Sequence, residues 1–268
     1  MICFPHAKIN IGLRIIEKRP DGFHNIESVF YPVTDLYDSL EWIESSSLIF
    51  ETSGIEIEGN TENNTCTRAW QILHSLFDIP PVHIHLQKHI PMGAGLGGGS
   101  ADGAFMLQSL QTHYNLPISE EKIHKLALSI GSDCPFFLHS QPLCGKGRGD
   151  EFSEVTVQLS GYWLVIANPG IHVSTAEAYA QVKPQKPDTQ LSELLSQDIS
   201  QWKHTIHNDF EQSVFPQHPK IANITSNMYK HGALYAAMSG SGSSVYGIFA
   251  EKPKIPAELP IIWKGKIS

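Results

Sequence analysis

Residues 91–104 read PMGAGLGGGSADGA. Gly93, Gly95, Gly97, Gly98 and Gly99 fall within seven positions, and Ser100 follows them. Glycine loses more backbone entropy on folding than any other residue, so a run this dense needs a structural or chemical cause. Gly93, Gly95 and Gly98 satisfy G-x-G-x-x-G, the dinucleotide pattern. In that fold the glycines follow directly from the first strand, and an acidic residue stands further downstream to take the ribose. Here six residues, QKHIPM, separate the run from the strand read at Val82–Leu86, and Glu120 and Glu121 open a helix instead. No G-K-[ST] follows, which excludes a Walker A loop, and neither H-R-D nor D-F-G of the protein kinases occurs. A single tight turn needs one or two glycines. What remains is a long anion-binding loop running into a helix N-terminus. There, bare N–H groups and the positive end of the helix dipole would face a phosphate cluster.

The rest of the chain has to supply a scaffold for that loop. Its 268 residues suit one large domain or two modest ones, and a chain 41% hydrophobic and 17% charged can bury a core. The formal charge of −8 argues against nucleic acid as the main partner. It leaves phosphorylated substrates open, because backbone N–H groups alone can hold phosphate. The N-terminal MICFPHAKINIGLRI has no basic leader followed by an apolar block, and no stretch reaches the ~18 apolar residues of a membrane span. Cys3, Cys66, Cys134 and Cys144 form no Cys-x-x-Cys pair, so free thiols in a reducing cytoplasm are expected.

Ile9, Ile11, Leu13 and Ile15 share a parity, as in a strand facing a core. RPDGFH, residues 19–24, reads as a hairpin loop turning at Asp-Gly. Further strands are expected at Glu27–Pro32 and Leu40–Ile43, and a hairpin at Leu48–Glu58 turning near Ser53-Gly54. Ala69, Ile72, Leu73, Leu76 and Phe77 form an amphipathic stripe that stops before Pro80. The glycine run leads into a helix over Ser100–Tyr114, with Ala104, Leu107 and Leu110 inward. Ser119 caps a second helix whose stripe is Ile123, Leu126, Ala127 and Ile130. LCGKGRGD, residues 143–150, is polar and glycine-rich, and a domain boundary is expected near residue 155. Beyond it come a strand at Tyr162–Ala167 and a capping box at Ser174 and Glu177. Helices follow around Leu191–His204, Asp209–Phe215 and Lys220–His231. Two strands, Ala233–Met238 and Ser244–Ala250, flank the small-residue loop SGSGS. The order predicts an α+β protein of two lobes, residues 1–155 and 156–268.

PMGAGLGGGSADGA resembles the phosphate-binding motif of the GHMP kinases, which phosphorylate small metabolites with ATP. The resemblance extends over nearly the whole chain and in family order. AKINIGL at 7–13 resembles the first motif, RPDGFHNI at 19–26 the substrate loop, and GSDCPFF at 131–137 the stretch with the catalytic Asp. MSGSGSSVYGIF at 238–249 resembles the third, glycine-rich motif. The triple glycine is similar to the branch that phosphorylates 4-diphosphocytidyl-2-C-methyl-D-erythritol in non-mevalonate isoprenoid synthesis. That implies a ribosomal-protein-S5-like ATP-binding domain followed by a ferredoxin-like α/β domain, with ATP and Mg²⁺ as cofactors and a monomer or weak homodimer. Mevalonate or homoserine as acceptor, and a catalytically silent nucleotide-binding regulator, are the competing readings on the same scaffold.

By this resemblance Asp133 is the general base and Lys8 its companion at the reacting hydroxyl. On the residues alone, Asp133 follows a helix end and precedes Pro135-Phe136-Phe137, a rigid, partly desolvated place, with a turn carboxylate capping the backbone as its alternative, and Lys8 is an edge residue or a buried, paired charge. Pro91, Met92, Gly93, Ala94, Gly95, Leu96, Gly97, Gly98, Gly99, Ser100 and Ala101 would form the phosphate loop. Ser100 would cap the helix, and Asp102, in its first turn, would favour the dipole or touch the metal. Asn64 and Lys88 match adenosine-side positions, although Asn64 also fits a helix N-cap and Lys88 a solvated strand end. Asn10, Phe23, His24, Thr175 and Tyr179 would bind the acceptor, its pyrimidine by stacking and edge hydrogen bonds. Phe23 stands where the family more often has Tyr; a hairpin residue packed on the core is its alternative, as the buried face of a helix is for Tyr179. His83, His85 and His89 suggest a metal only weakly, since no carboxylate or cysteine joins them nearby. Cys134 reads as a small packed residue. Ser239, Ser241, Ser243 and Ser244 lack G-x-S-x-G, so their loop is expected to abut the substrate phosphates or close the site.

Overall fold

Apolar alternation builds the first strands where the sequence expects them. Ile9, Ile11, Leu13 and Ile15 lie on β2 (His6–Lys18), and the chain returns on β3 (His24–Tyr37). Between them Gly22 takes φ +87°, and Arg19 N donates to the Phe23 carbonyl at 2.8 Å. The computed structural model describes residues 1–57 and 63–267. The chain divides into two compact units with interleaved segments. Unit 1 comprises Met1–Lys8, Pro32–Met92 and Gly97–Gln141; unit 2 comprises Ile9–Tyr31, Gly93–Leu96 and Pro142–Ser268. The glycine run is thus divided after Leu96.

Unit 1 has a four-stranded sheet, order β1-β4-β6-β5, made of β1 (Ile2–Cys3), β4 (Ser39–Glu44), β5 (Ile49–Gly54) and β6 (Val82–Lys88). Val82, Ile84 and Leu86 of β6 are fully buried, while His83 and His85 on the other parity are half-buried. Helices α1 (Thr65–Phe77), α2 (Gly98–His113) and α3 (Glu120–Ile130) and a 3-10 helix (Cys134–Leu138) complete the unit. Trp42 of β4, 1% exposed, donates from Nε1 to Ser109 Oγ of α2 at 2.9 Å. A Cβ on Gly103 would come within 2.8 Å of Thr65 Cβ, so a glycine there permits the close approach of α1 and α2.

Unit 2 contains the sheet β10-β11-β9-β12 and most of the sheet β2-β3-β7-β8, whose residues 6–8 and 32–37 belong to unit 1. Their remaining strands are β7 (Leu143–Lys146), β8 (Glu151–Glu154), β9 (Trp163–Ala167), β10 (Tyr235–Met238), β11 (Val245–Phe249) and β12 (Ile261–Lys266). Five helices follow the sequence order: α4 (Thr175–Tyr179), α5 (Leu191–Leu195), α6 (Ile199–Thr205), α7 (Glu211–Gln217) and α8 (Pro219–Lys230). Ile221, Ile224 and Met228 of α8 are buried with Leu13, Ile15, Val165, Phe210, Val214 and Phe249 in one cluster.

Several expectations are corrected. Leu48–Glu58 is no hairpin: β5 is one strand parallel to β6, and α1 is the crossover between them. Glu58 lies outside the described residues. Gly54 is a glycine because it ends β5 at φ +81°, where a Cβ would sit 2.2 Å from the Lys88 carbonyl oxygen. Leu76 and Phe77 are exposed, and α1 instead buries Cys66, Ala69, Trp70 and Leu73. Ser100 does not cap α2; Gly97 does, and Asp102 lies beyond the first turn. The helix expected over 191–204 is broken into α5 and α6, because Asp198 Oδ1 accepts from Ser200 N at 2.9 Å and starts a new helix. LCGKGRGD forms β7 and the turn into β8. Strands β1 and β12 were not anticipated, being too short or too irregular to alternate clearly. Among the described residues no helix is long and apolar enough to cross a membrane.

Candidate active site

In unit 1 the glycine helix meets a buried cation. Lys8 is 3% exposed and its Nζ lies 3.4 Å from Asp133 Oδ2, whose side chain is 31% exposed. The water-facing edge reading of Lys8 therefore fails, since both faces of β2 are buried at this point. Burial pushes the Lys8 pKa down, and the Asp133 carboxylate works against that shift. Asp133 occupies the N-cap position of the 3-10 helix but makes no side-chain capping bond, so its carboxylate serves the lysine rather than the helix. Gly97, the N-cap of α2 at φ +73°, lies against this pair. A Cβ there would come within 2.7 Å of Phe137 Cζ and 3.1 Å of Lys8 Cγ. The first-turn N–H groups of α2 have no partner inside the helix, as at any helix start.

A second buried cation holds the same helix from below. Lys88 Nζ donates to Asp38 Oδ2 and, at 2.8 Å, to Asp102 Oδ2, with no ammonium surface exposed. Asp38 Oδ1 accepts from the backbone N of His89 and Ile90. Burial works to lower the Lys88 pKa, but the two carboxylates outweigh it and the net shift is upward. Burial also raises Asp102 to about 7. The solvated reading of Lys88 and the dipole or metal reading of Asp102 both give way to this triad. Gly98 is needed for it, since a Cβ would lie 3.2 Å from Lys88 Nζ and 2.9 Å from Ile90 Cγ2. Asn64 caps α1, its Oδ1 accepting from Cys66 N at 2.9 Å. Thr65, next to it, donates to the Gly99 carbonyl at 2.7 Å. Cys134 is fully buried, and burial raises its thiol to about 12, which fits a packed residue and not a nucleophile.

In unit 2 the other half of the glycine run leans on the SGSGS loop. Ser239 Oγ donates to the Gly95 carbonyl at 2.8 Å and accepts from Asn10 N at 3.2 Å. Ser244 N donates to the Ala94 carbonyl at 3.1 Å. Asn10, 2% exposed, also donates from Nδ2 to Ser28 Oγ at 2.9 Å. Of the acceptor candidates, His24 and Tyr179 are brought together, stacked at 4.5 Å between ring centroids and 20° between planes. Tyr179 also meets Phe210 edge-on at 4.7 Å. Phe23 does not pack on a core; it is 54% exposed with the Arg148 guanidinium 4.9 Å from its ring centroid. Thr175 is exposed at the start of α4. The sequence reading missed Asp38, Ser28, Arg148, Asn208 and Glu211. Only Asn208-Asp209, a polar pair ahead of a helical stripe, left a usable trace in the sequence.

The GHMP kinases N terminal domain model matches residues 64–141, and the GHMP kinases C terminal model residues 190–260. The chain belongs to the GHMP kinase family. It is 49% identical over 259 residues to a 4-diphosphocytidyl-2-C-methyl-D-erythritol kinase of Bacteroides fragilis, covering 95% of this chain and 94% of that one. A relative with the same name from Parabacteroides distasonis is 46% identical over the full length of both chains. The crystal structure of a 4-(cytidine 5'-diphospho)-2C-methyl-D-erythritol kinase matches with a TM-score of 0.80 at 30% identity, covering 92% of this chain and 90% of that one. In this GHMP kinase the two-part α+β fold agrees with the sequence reading. Its family motifs fall on β2, the β2–β3 loop, the start of α2, the 3-10 helix and the β10–β11 loop.

Proposed function

We propose that this chain transfers the γ-phosphoryl group of ATP to the 2-hydroxyl of 4-diphosphocytidyl-2-C-methyl-D-erythritol, giving the 2-phosphate and ADP in non-mevalonate isoprenoid synthesis. The observation that carries the reading is the 49% identity to a kinase of that name across 95% of the chain. The Lys8–Asp133 pair beside Gly97 supplies the chemistry. Asp133 Oδ2 takes the hydroxyl proton as the oxygen attacks phosphorus, and the bond from phosphorus to the ADP oxygen breaks. Lys8, its cation adjoining that carboxylate, orients it and offsets the charge of the developing alkoxide. The N-terminal N–H groups of α2 and the loop 91–101 face the phosphates, with Asn64 and Lys88 on the nucleoside side. The Lys88 ammonium is committed to two carboxylates, so its role there is to hold β6 and α2. Asn10, Phe23, His24, Thr175 and Tyr179 take the acceptor, and the exposed Phe23 and the His24–Tyr179 stack offer faces for a pyrimidine.

Mg²⁺ seeks oxygen donors and, when bound, would offset phosphate charge. The half-buried Ser100 hydroxyl would be the donor offered from this chain, whereas Asp133 is held by Lys8 as the base and Asp102 is buried against Lys88. Residues 1–155 are assigned to ATP and catalysis, with Asn10, Phe23 and His24 reaching the acceptor, and 156–268 to substrate binding; the two family models, on either side of residue 155, support the division. We assign it to the cytoplasm, as a monomer or weak homodimer; the four free cysteines support the compartment. The test is ADP release with a panel of alcohols. Turnover with the cytidylated erythritol alone is expected. Turnover with homoserine or mevalonate instead, or nucleotide binding without turnover, would overturn the assignment.

A further inference from the structure

The segment His207–Glu211 (HNDFE) runs from just after α6 to the first residue of α7, and three of its side chains bond to backbone groups of unit 2. Asn208 is 1% exposed. Its Nδ2 donates to the Met238 carbonyl at 2.7 Å and to the Gly240 carbonyl at 2.8 Å. Its Oδ1 accepts from Phe210 N at 3.0 Å. Glu211 Oε1 accepts from Met238 N at 2.7 Å. Asp209 Oδ2 accepts from Ile15 N at 2.7 Å, and the backbone of His207 and Asp209 brackets Leu13 through two further bonds. The segment is therefore bonded both to β2 and to the loop after β10.

The residue held between the two bonded carbonyls is Ser239. One amide grips the carbonyl before it and the carbonyl after it, so the position of Ser239 Oγ is set by Asn208. That hydroxyl bridges the Gly95 carbonyl and the Asn10 backbone N. Gly95 belongs to the loop assigned to ATP, and Asn10 to the acceptor side. The approach is tight: a Cβ on Gly95 would lie 1.9 Å from the Ser239 carbonyl oxygen, and one on Gly240 3.4 Å from Asn10 Oδ1. With so little clearance, a shift of Ser239 must carry both neighbours with it. We infer that Asn208 is a positioning residue for phosphoryl transfer, acting through Ser239 to set the register of the phosphate loop against the acceptor strand. This rests on the assignment of Gly95 and Asn10 given above.

The test is a double-mutant cycle on Asn208→Asp and Ser239→Ala, read as ADP release with ATP and 4-diphosphocytidyl-2-C-methyl-D-erythritol. Asn208→Asp keeps the acceptor for Phe210 N and removes both donations. Each single change should lower kcat/KM about tenfold or more, because small misplacements at a transfer site are costly. The double variant should fall no more than about threefold below the weaker single, since both changes disable one device. Losses that multiply, or an Asn208→Asp enzyme as active as wild type, overturn the inference. A merely structural Asn208 would lower Tm equally in both backgrounds and give the multiplicative result. If Asn208→Asp shows no cooperative unfolding transition, Asn208→Ser, which adds no charge, takes its place under the same criteria. Wild type that is inactive on this acceptor refutes the substrate assignment alone. The cycle is then read, by the same rule, on the affinity for a fluorescent N-methylanthraniloyl ATP.

Discussion

Glycines of the run answer different demands, and Gly95→Ala and Gly99→Ala separate them. Gly95 has φ +76°, and an added Cβ would lie 1.9 Å from the Ser239 carbonyl oxygen. That oxygen accepts from Gly242 N at 3.0 Å, so it cannot retreat freely. The left-handed backbone costs about 1–2 kcal/mol for an L-residue, and a displaced hydrogen bond about 1 kcal/mol more. Gly95→Ala should therefore destabilise by about 3 kcal/mol, a Tm loss of about 6–12 °C at this chain size. Gly99 is the contrary case. It lies in the first turn of α2 without a positive φ, and the nearest atom to an added Cβ is Met92 Cε at 3.9 Å. Alanine is the better helix former by about 0.5–1 kcal/mol, so Gly99→Ala should raise Tm by about 1–4 °C. Its methyl would nevertheless intrude where phosphates approach the helix start, and the KM for ATP should rise. Scanning calorimetry and steady-state kinetics on the two purified variants read both effects. A Gly95→Ala protein as stable as wild type, or a Gly99→Ala protein that melts earlier, refutes the division. An unchanged KM for ATP in Gly99→Ala would remove Gly99 from the phosphate site.

Asp133→Ala should lower kcat by about 10²–10⁴ while ATP still binds, as loss of a general base does; near-normal turnover would exclude that role. Because burial lowers the Lys8 pKa, its charge is lost below the usual 10.5, and kcat should fall on the alkaline side below that pH. Between the lowered and the ordinary value the unfolded chain holds more protons, so wild-type stability rises with pH there. Lys8→Arg should move the alkaline limb of kcat upward, and an unmoved limb would assign it to another group. Asp102 shifts the other way, from 3.8 to about 7 through burial. The native state then holds more protons across that window, and stability falls as pH rises through it. Burial raises Glu211 to about 7 as well, so in Asp102→Asn melting curves from pH 4 to pH 8 should lose part of that decline; an identical slope would place the proton elsewhere. Tyr179→Ala should raise the acceptor KM and leave the KM for ATP unchanged, and the opposite pattern would detach the His24–Tyr179 stack from acceptor binding.

Local sequence was a good guide where a single element answers to its own residues. Asp21-Gly22 turns the chain, Ser119 caps α3 through its bond from Lys122 N, and Val82, Ile84 and Leu86 face inward from β6. The reading failed where an element's role depends on a distant neighbour. Ser53-Gly54 looked like a hairpin because turn chemistry does not reveal which strand pairs next, and the partner of β5 lies beyond α1. A solvated strand end stays open for Lys88 in the sequence because nothing adjacent announces Asp38, fifty residues earlier, as its counter-ion. Glu211 carried no signal and the Asn208-Asp209 pair marked no more than a helix start, since their bonds go to backbone groups that any sequence would supply.

By itself, then, the sequence determined the α+β order and the family motifs and raised the expectation of an anion-binding glycine run, because dihedral demands, periodicity and family pattern are properties of short segments. Tertiary structure decided the function of each glycine. Gly95 is fixed by the Ser239 carbonyl, Gly97 by Phe137 and Lys8, and Gly98 by Ile90 and Lys88, while a Cβ on Gly99 would meet only Met92 Cε, at 3.9 Å. The steric demand on a missing side chain comes from the atoms that would touch it, and those atoms lie far off in the chain.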